Sequence, residues 1–185
     1  MATPQTEARM TAEAFWEAYQ DQPGPDRELW DGVVVEGEVT GYRHQAVLFW
    51  LQSALDPWVR RRGGRTWADG GVKFGPHDVR GPDLMVWWSG QPVDPVKLFD
   101  AIPDLVIEVV SPQPRDVRRD REEKRADYYA HGIPHYWIVE PIHRTFEVYV
   151  RGRGGYARRL LATSGTVAVY RDLTLDLDAL WRASE

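Results

Sequence analysis

Leu105-Val106-Ile107-Glu108-Val109-Val110-Ser111 is an apolar run with one carboxylate in its middle. Its length and β-branched content predict a buried strand. Stripping a buried charge of its partner costs about 3–5 kcal/mol, so a cation is expected beside Glu108. Upstream, Pro82-Asp83-Leu84-Met85-Val86-Trp87-Trp88 predicts a second strand that opens on an acid. Alternation places Asp83, Met85 and Trp87 on one face of it, and Val106, Glu108 and Val110 on one face of the other. If the two strands are neighbours, the carboxylates of Asp83 and Glu108 converge, and a shared divalent metal is the leading candidate for the cation. Mg²⁺ commonly takes one or two carboxylates and keeps several waters. A metal held in that way can polarise a phosphoryl oxygen and activate a water, as phosphodiester hydrolysis requires.

Around these strands the pattern predicts alternating elements. Thr11 caps a helix over Ala12–Gln20, with Ala14, Phe15 and Ala18 as its apolar stripe. Glu28-Leu29-Trp30, Asp31-Gly32 and Val33–Val39 read as strand, tight turn and strand. Tyr42–Arg62 repeats Ala46, Val47, Trp50, Leu51, Ala54 and Leu55 at helical spacing, with Pro57 as a kink or new turn and Gly63-Gly64 as its end. Further strands are expected near Thr66–Ala68 and Val72–Phe74, then a proline-bearing loop over Gly90–Pro103. Val117–His131 predicts a charged helix stopped by Gly132. Tyr136–Val139 and Thr145–Val150 form a hairpin, Tyr156–Leu161 and Thr166–Tyr170 continue the sheet, and Leu173–Trp181 closes the domain. The expectation is an α/β protein with a mixed central sheet flanked by helices. Met1–Met10 is expected to be disordered, and residues 11–185 to form one domain.

The chain has 185 residues, 43% hydrophobic and 12% aromatic, which supports a real core. Cysteine is absent, which excludes disulfides, thiolate metal sites and cysteine catalysis. No run approaches the roughly 20 apolar residues of a membrane span, and no basic-then-apolar leader precedes Thr11, so a cytoplasmic protein is expected. The net charge of −5 argues against indiscriminate nucleic-acid binding. Arginines nevertheless gather at 60–65, 115–125 and 151–159, where a polyanion can meet a positive face.

A cation near the reacting phosphate is also wanted, and the helix after the Glu108 strand offers Lys124. Asp116, Asp120, Lys124 and Tyr128 are spaced by four and share one helix face. Gly81-Pro82-Asp83-Leu84, then Pro103–Pro112, then Asp120 to Lys124, then Tyr129-Ala130-His131-Gly132-Ile133-Pro134-His135-Tyr136-Trp137-Ile138-Val139 resemble the Uma-two family. Those proteins are restriction-endonuclease-like nucleases of the PD-(D/E)XK superfamily. Arg27-Glu28-Leu29-Trp30-Asp31-Gly32 and His44 also resemble the family, so the likeness spans roughly residues 11–180. It implies Asp83, Glu108 and the main-chain carbonyl of Val109 as ligands of Mg²⁺ or Mn²⁺. It further implies Lys124 as the catalytic cation, with Glu28 and His44 as outer ligand or proton-transfer groups. DNA is the implied substrate and a homodimer the implied assembly. The chain departs from the superfamily motif at Val110, which stands where the generic pattern has lysine. Lys124 resembles a relocated copy of that residue, and it must point at the site rather than at solvent to serve.

Rival readings follow from the same residues. Asp83 can cap a turn, Glu108 can pair with an arginine, Lys124 can be solvated, and Glu28 can pair with Arg27 or Arg43. Val110 keeps alive a nuclease fold that binds or regulates without turnover. A self-associating protein whose acids bridge arginines between subunits is a third reading. His131, His135 and His143 lack zinc spacing, Ser111 lacks a nucleophile elbow, and the paired glycines lack a Walker lysine. Some of the nine tryptophans can stack on bases, although most are expected in the core, with one of Trp87 and Trp88 exposed or at an interface.

Overall fold

A computed structural model of the chain describes residues 9–22, 26–37, 40–90, 98, 100–111 and 119–185. Residues 1–8, most of 91–99, and 112–118 with Asp116 lie outside it. The expected disorder of the first ten residues, the 90–103 loop and part of the basic 115–125 cluster are therefore mostly outside the described residues.

Helix α1 (Ala12–Tyr19) starts at Thr11, whose hydroxyl accepts the Ala14 N–H at 3.2 Å. Its buried positions are Ala12 and Phe15, with Tyr19 packed beside them; Ala14 faces solvent, so the stripe runs through Ala12, Phe15 and Tyr19 instead of Ala14, Phe15 and Ala18. Strands β1 (Arg27–Trp30) and β2 (Val33–Glu36) pair antiparallel across Asp31 and Gly32, both at positive φ, the twist that tight hairpins require. Helix α2 (Tyr42–Arg60) runs on through Pro57 and buries His44, Val47, Leu48, Leu51, Leu55, Trp58 and Val59. Past its end, Gly64 passes so close to the backbone at Trp87 that a Cβ there would lie 2.2 Å from the Trp87 carbonyl oxygen.

Strands β3 (Arg65–Ala68), β4 (Val72–Gly75), β5 (Asp78–Arg80), β6 (Leu84–Trp87) and β7 (Leu105–Val109) follow. A π-helical turn, Arg119–Lys124, leads into α3 (Arg125–Ala130), so residues 119–124 of the expected α-helix take the wider form. Then come β8 (His135–Glu140), β9 (Thr145–Gly152), β10 (Gly155–Ala162), β11 (Thr166–Tyr170), β12 (Leu173–Asp176) and α4 (Leu177–Ala183).

The central sheet has the order β10-β9-β8-β7-β6-β3 and is antiparallel except where β7 and β8 run parallel across the helical crossover. It is the expected mixed sheet, with two corrections. A second sheet, β2-β1-β5-β4, stands apart from it, and β11 pairs with β12 in a hairpin of its own instead of extending the main sheet. Strand parity sorts the core. Leu84, Val86, Leu105, Ile107 and Val109 face α2 and α4, while Val106 and Val110 pack with Tyr128, Ile133, Tyr136 and Ile138 on the other face. Trp87 is fully buried with Val72 and Met85. Trp88 is half-buried on the opposite face, stacked on Tyr170 at 4.2 Å, and so is covered by its own chain where exposure was expected. Among the described residues no helix is long and apolar enough to cross a membrane.

Candidate functional site

Strands β6 and β7 pair Leu84 with Ile107 and Met85 with Val106; one step further along this register sets Asp83 opposite Glu108. The two positions thus face each other across adjacent strands, which meets the condition of neighbouring strands on which the alternation argument depended. Asp83 Oδ2 accepts the Val109 N–H at 2.6 Å and lies 3.2 Å from His44 Nε2. The first turn of α2 delivers that histidine, and the positive end of the helix favours a carboxylate there. Burial pushes the Asp83 carboxyl up, but the His44 contact, the Lys124 charge and the Val109 N–H outweigh it and hold it below its ordinary value.

Glu108 is 2% exposed and gripped from two sides. Lys124 Nζ donates to Oε2 at 3.0 Å, and the Tyr128 hydroxyl donates to Oε1 at 2.6 Å. Lys124 is itself 3% exposed, so it turns its ammonium into the protein rather than to solvent. Its second carboxylate is Glu28 Oε1, at 3.3 Å. Glu28 is held on β1 by the Gly81 N–H at 3.1 Å and the Trp30 indole N–H at 2.9 Å. Val110 packs into the tyrosine-rich cluster, so the cation reaches Glu108 from the helix and not from the strand. The side chain of Asp120, expected on the same helix face, lies outside the described residues.

Arg80 anchors that helix, and sequence reading missed it along with β5. Its guanidinium is 2% exposed and pairs with both oxygens of Asp127, at 2.9 and 3.1 Å. It also donates to the Leu29 carbonyl and lies over the Trp30 ring at 3.5 Å. One buried cation thereby ties α3 to the small sheet that carries Glu28. Its sequence setting, Pro76-His77-Asp78-Val79-Arg80-Gly81-Pro82, reads as a turn and gave no signal of a buried cation.

A cleft of about 240 Å³ opens beside Asp83, lined among others by Trp16, Tyr19, Asp26 and Asp69. Burial raises the carboxyl of Asp26, and the charge of Asp83 raises it further. Burial likewise raises Asp69, helped by the charges of Asp26 and Asp83. Neither acid was singled out from the sequence, because each sits in a turn and gains its neighbours only in the fold. At the core of the site, Asp83, Glu108 and Glu28 set three carboxylates against one ammonium. An excess of negative charge remains whichever state His44 takes.

That excess, on oxygen donors, suits a hard divalent cation. Among the described residues no three His, Asp or Glu side chains converge on one point. Two carboxylates with a main-chain carbonyl match the sparse set that Mg²⁺ or Mn²⁺ accepts alongside water. Zinc has no support: His131 stacks on Phe74, His143 pairs with Glu140, and His135 packs against Tyr170. Asp83 and Glu108 have partners within their own chain, which removes the need for arginines from a second subunit. Several expected basic residues are also committed internally: Arg62 to Asp172, Arg121 to Glu140 and Glu147, and Arg158 to Glu147.

A family model described as "Putative restriction endonuclease" matches residues 12–178. The fold is similar to the crystal structure of a putative nuclease belonging to DUF820 from Anabaena variabilis, with a TM-score of 0.73 and 20% identity, covering 95% of this chain and 99% of that one. No curated protein matches.

Proposed function

The chain belongs to the Uma2 (Uma-two) family of putative restriction endonucleases, and from that premise we propose that it is a metal-dependent endonuclease hydrolysing DNA phosphodiester bonds. The observation that carries the reading is the pair of opposed strand-end acids, Asp83 and Glu108, with Lys124 buried against one of them. Asp83, Glu108 and the Val109 carbonyl would hold Mg²⁺ or Mn²⁺. Bound there, the ion supplies Lewis-acid polarisation of a phosphoryl oxygen and a water of lowered pKa. His44 steadies Asp83 and keeps it ionised. Lys124 places a positive charge where negative charge develops on the phosphate, in a setting from which water is largely excluded. Glu28 holds the Lys124 ammonium in place. The acid-lined cleft repels a polyanion until cations fill it, so DNA binding should depend on metal and weaken with salt. A homodimer and a cytoplasmic location belong to the same proposal.

A second reading, a nuclease fold that binds without turnover, is favoured by one observation. Both oxygens of Glu108 already have partners in this chain. Calorimetric titration of Mn²⁺ into the wild type and the Asp83→Ala/Glu108→Ala variant, with plasmid nicking on the same samples, separates the two. Binding and nicking lost together in the variant support the nuclease. Binding without nicking in the wild type supports the silent module, and no binding at all removes the metal site.

A further inference from the structure

Lys124 and Tyr128 stand one helical turn apart and grip the same carboxylate, yet they differ in kind. Lysine brings a point charge on a flexible stem, shared here between Glu108 and Glu28. Tyrosine brings a rigid donor. The Tyr128 ring is fully buried, edge-on to Phe74 at 6.0 Å and tilted against Tyr136 at 5.4 Å, and the helix beneath it is pinned by Arg80 through Asp127. The hydroxyl therefore has little freedom to leave Oε1, 2.6 Å away.

We propose that Tyr128 is a positioning residue that fixes the orientation in which the Glu108 carboxylate faces the proposed metal site. The assignment rests on Glu108 being a metal ligand. A buried hydroxyl is costly unless paired, and phenylalanine would fill the same apolar cluster without that cost. The hydroxyl finds its partner in one of the two acids that the proposed site needs aimed. Hydrogen-bond partners behind a ligating carboxylate typically govern metal affinity by about 10–100-fold.

The test is Tyr128→Phe, which keeps every ring contact. Mn²⁺ binding is measured by calorimetry and the bound ion by its paramagnetic resonance spectrum. The expected result is Kd weakened by about 10–100-fold with an altered spectrum, while the metal-free melting temperature drops by less than about 10 °C. Tyr156→Phe is the control, since it removes a hydroxyl bonded at 2.7 Å to the Ile133 carbonyl within the same tyrosine-rich region. It should leave Kd unchanged. A Tyr128→Phe protein that binds Mn²⁺ within about twofold of a binding wild type would overturn the assignment and leave the nuclease reading intact. Collapse of the metal-free fold would also overturn it, because the hydroxyl would then be holding the helix. A wild type that binds no Mn²⁺ would remove the nuclease reading and this inference with it.

Discussion

Removing the carboxylate of Asp127 should destabilise the metal-free protein by about 3 kcal/mol, and the structure sets that figure. Breaking a buried ion pair by deleting one partner costs about 3–5 kcal/mol because the other charge is left behind. Arg80, the charge left behind, is 2% exposed and loses two hydrogen bonds. It keeps the Leu29 carbonyl, a 3.3 Å contact with Asp78 and the face of Trp30, which places the cost at the lower end. For a chain of this size about 3 kcal/mol lowers the melting temperature by roughly 6–12 °C. With a urea slope of about 2 kcal/mol/M the midpoint falls by about 1.5 M. Urea unfolding of Asp127→Ala followed by tryptophan fluorescence reads this directly. Arg80→Met/Asp127→Leu should be less damaged than Asp127→Ala, since replacing both partners removes the buried charge itself. An Asp127→Ala protein within about 1 kcal/mol of wild type, or a double variant that loses the sum of the two single losses, would refute the reasoning.

Three further outcomes are expected. Lys124→Met should slow nicking by about 10²-fold or more while changing Mn²⁺ affinity in calorimetry far less, since removing a neighbouring positive charge offsets the loss of a partner of Glu108. Glu108→Ala should lower the metal-free melting temperature. Relief of repulsion between the two acids acts the other way, but Lys124 would lose a buried partner at 3.0 Å. Asp26→Asn and Asp69→Asn should stabilise the metal-free protein near neutral pH and not in acid. Both carboxyls are raised in the fold, by burial first, so ionising them costs the folded state. The penalty is absent below the unfolded carboxylate range and grows as pH rises through the raised value; melting curves at acid and neutral pH in chelator check the sign. Asparagine tolerates the positive φ of 52° at position 69.

Much of this arrangement was legible in the chain because period-two and helical patterns report directly on what is buried. Parity set Asp83 and Glu108 on matching faces, to converge only if their strands were neighbours, and four-residue spacing set Lys124 and Tyr128 on one face. Short polar elements were harder. Strand β5, three residues with a buried arginine, carries no periodic signal, and its partners Leu29 and Asp127 are remote in sequence. Asp26 and Asp69 read as turn residues, since nothing local reveals that the fold brings them to one cleft. The separation of β11 and β12 from the main sheet was invisible for the same reason: an alternating strand looks alike in either sheet.

The parallel pairing of β7 with β8 divides the labour of the chain unequally. Every candidate side chain, from Asp26 to Tyr128, lies before β8, on the earlier strands and helices or on the crossover itself, while β8 to β12 and α4 contribute none. Yet the later half supplies the whole outer edge of β7 and much of the core on both of its faces. A fragment ending at Gly132 would carry the complete chemical inventory and still have no site. It would present β7 as a bare hydrophobic edge, a template for aggregation.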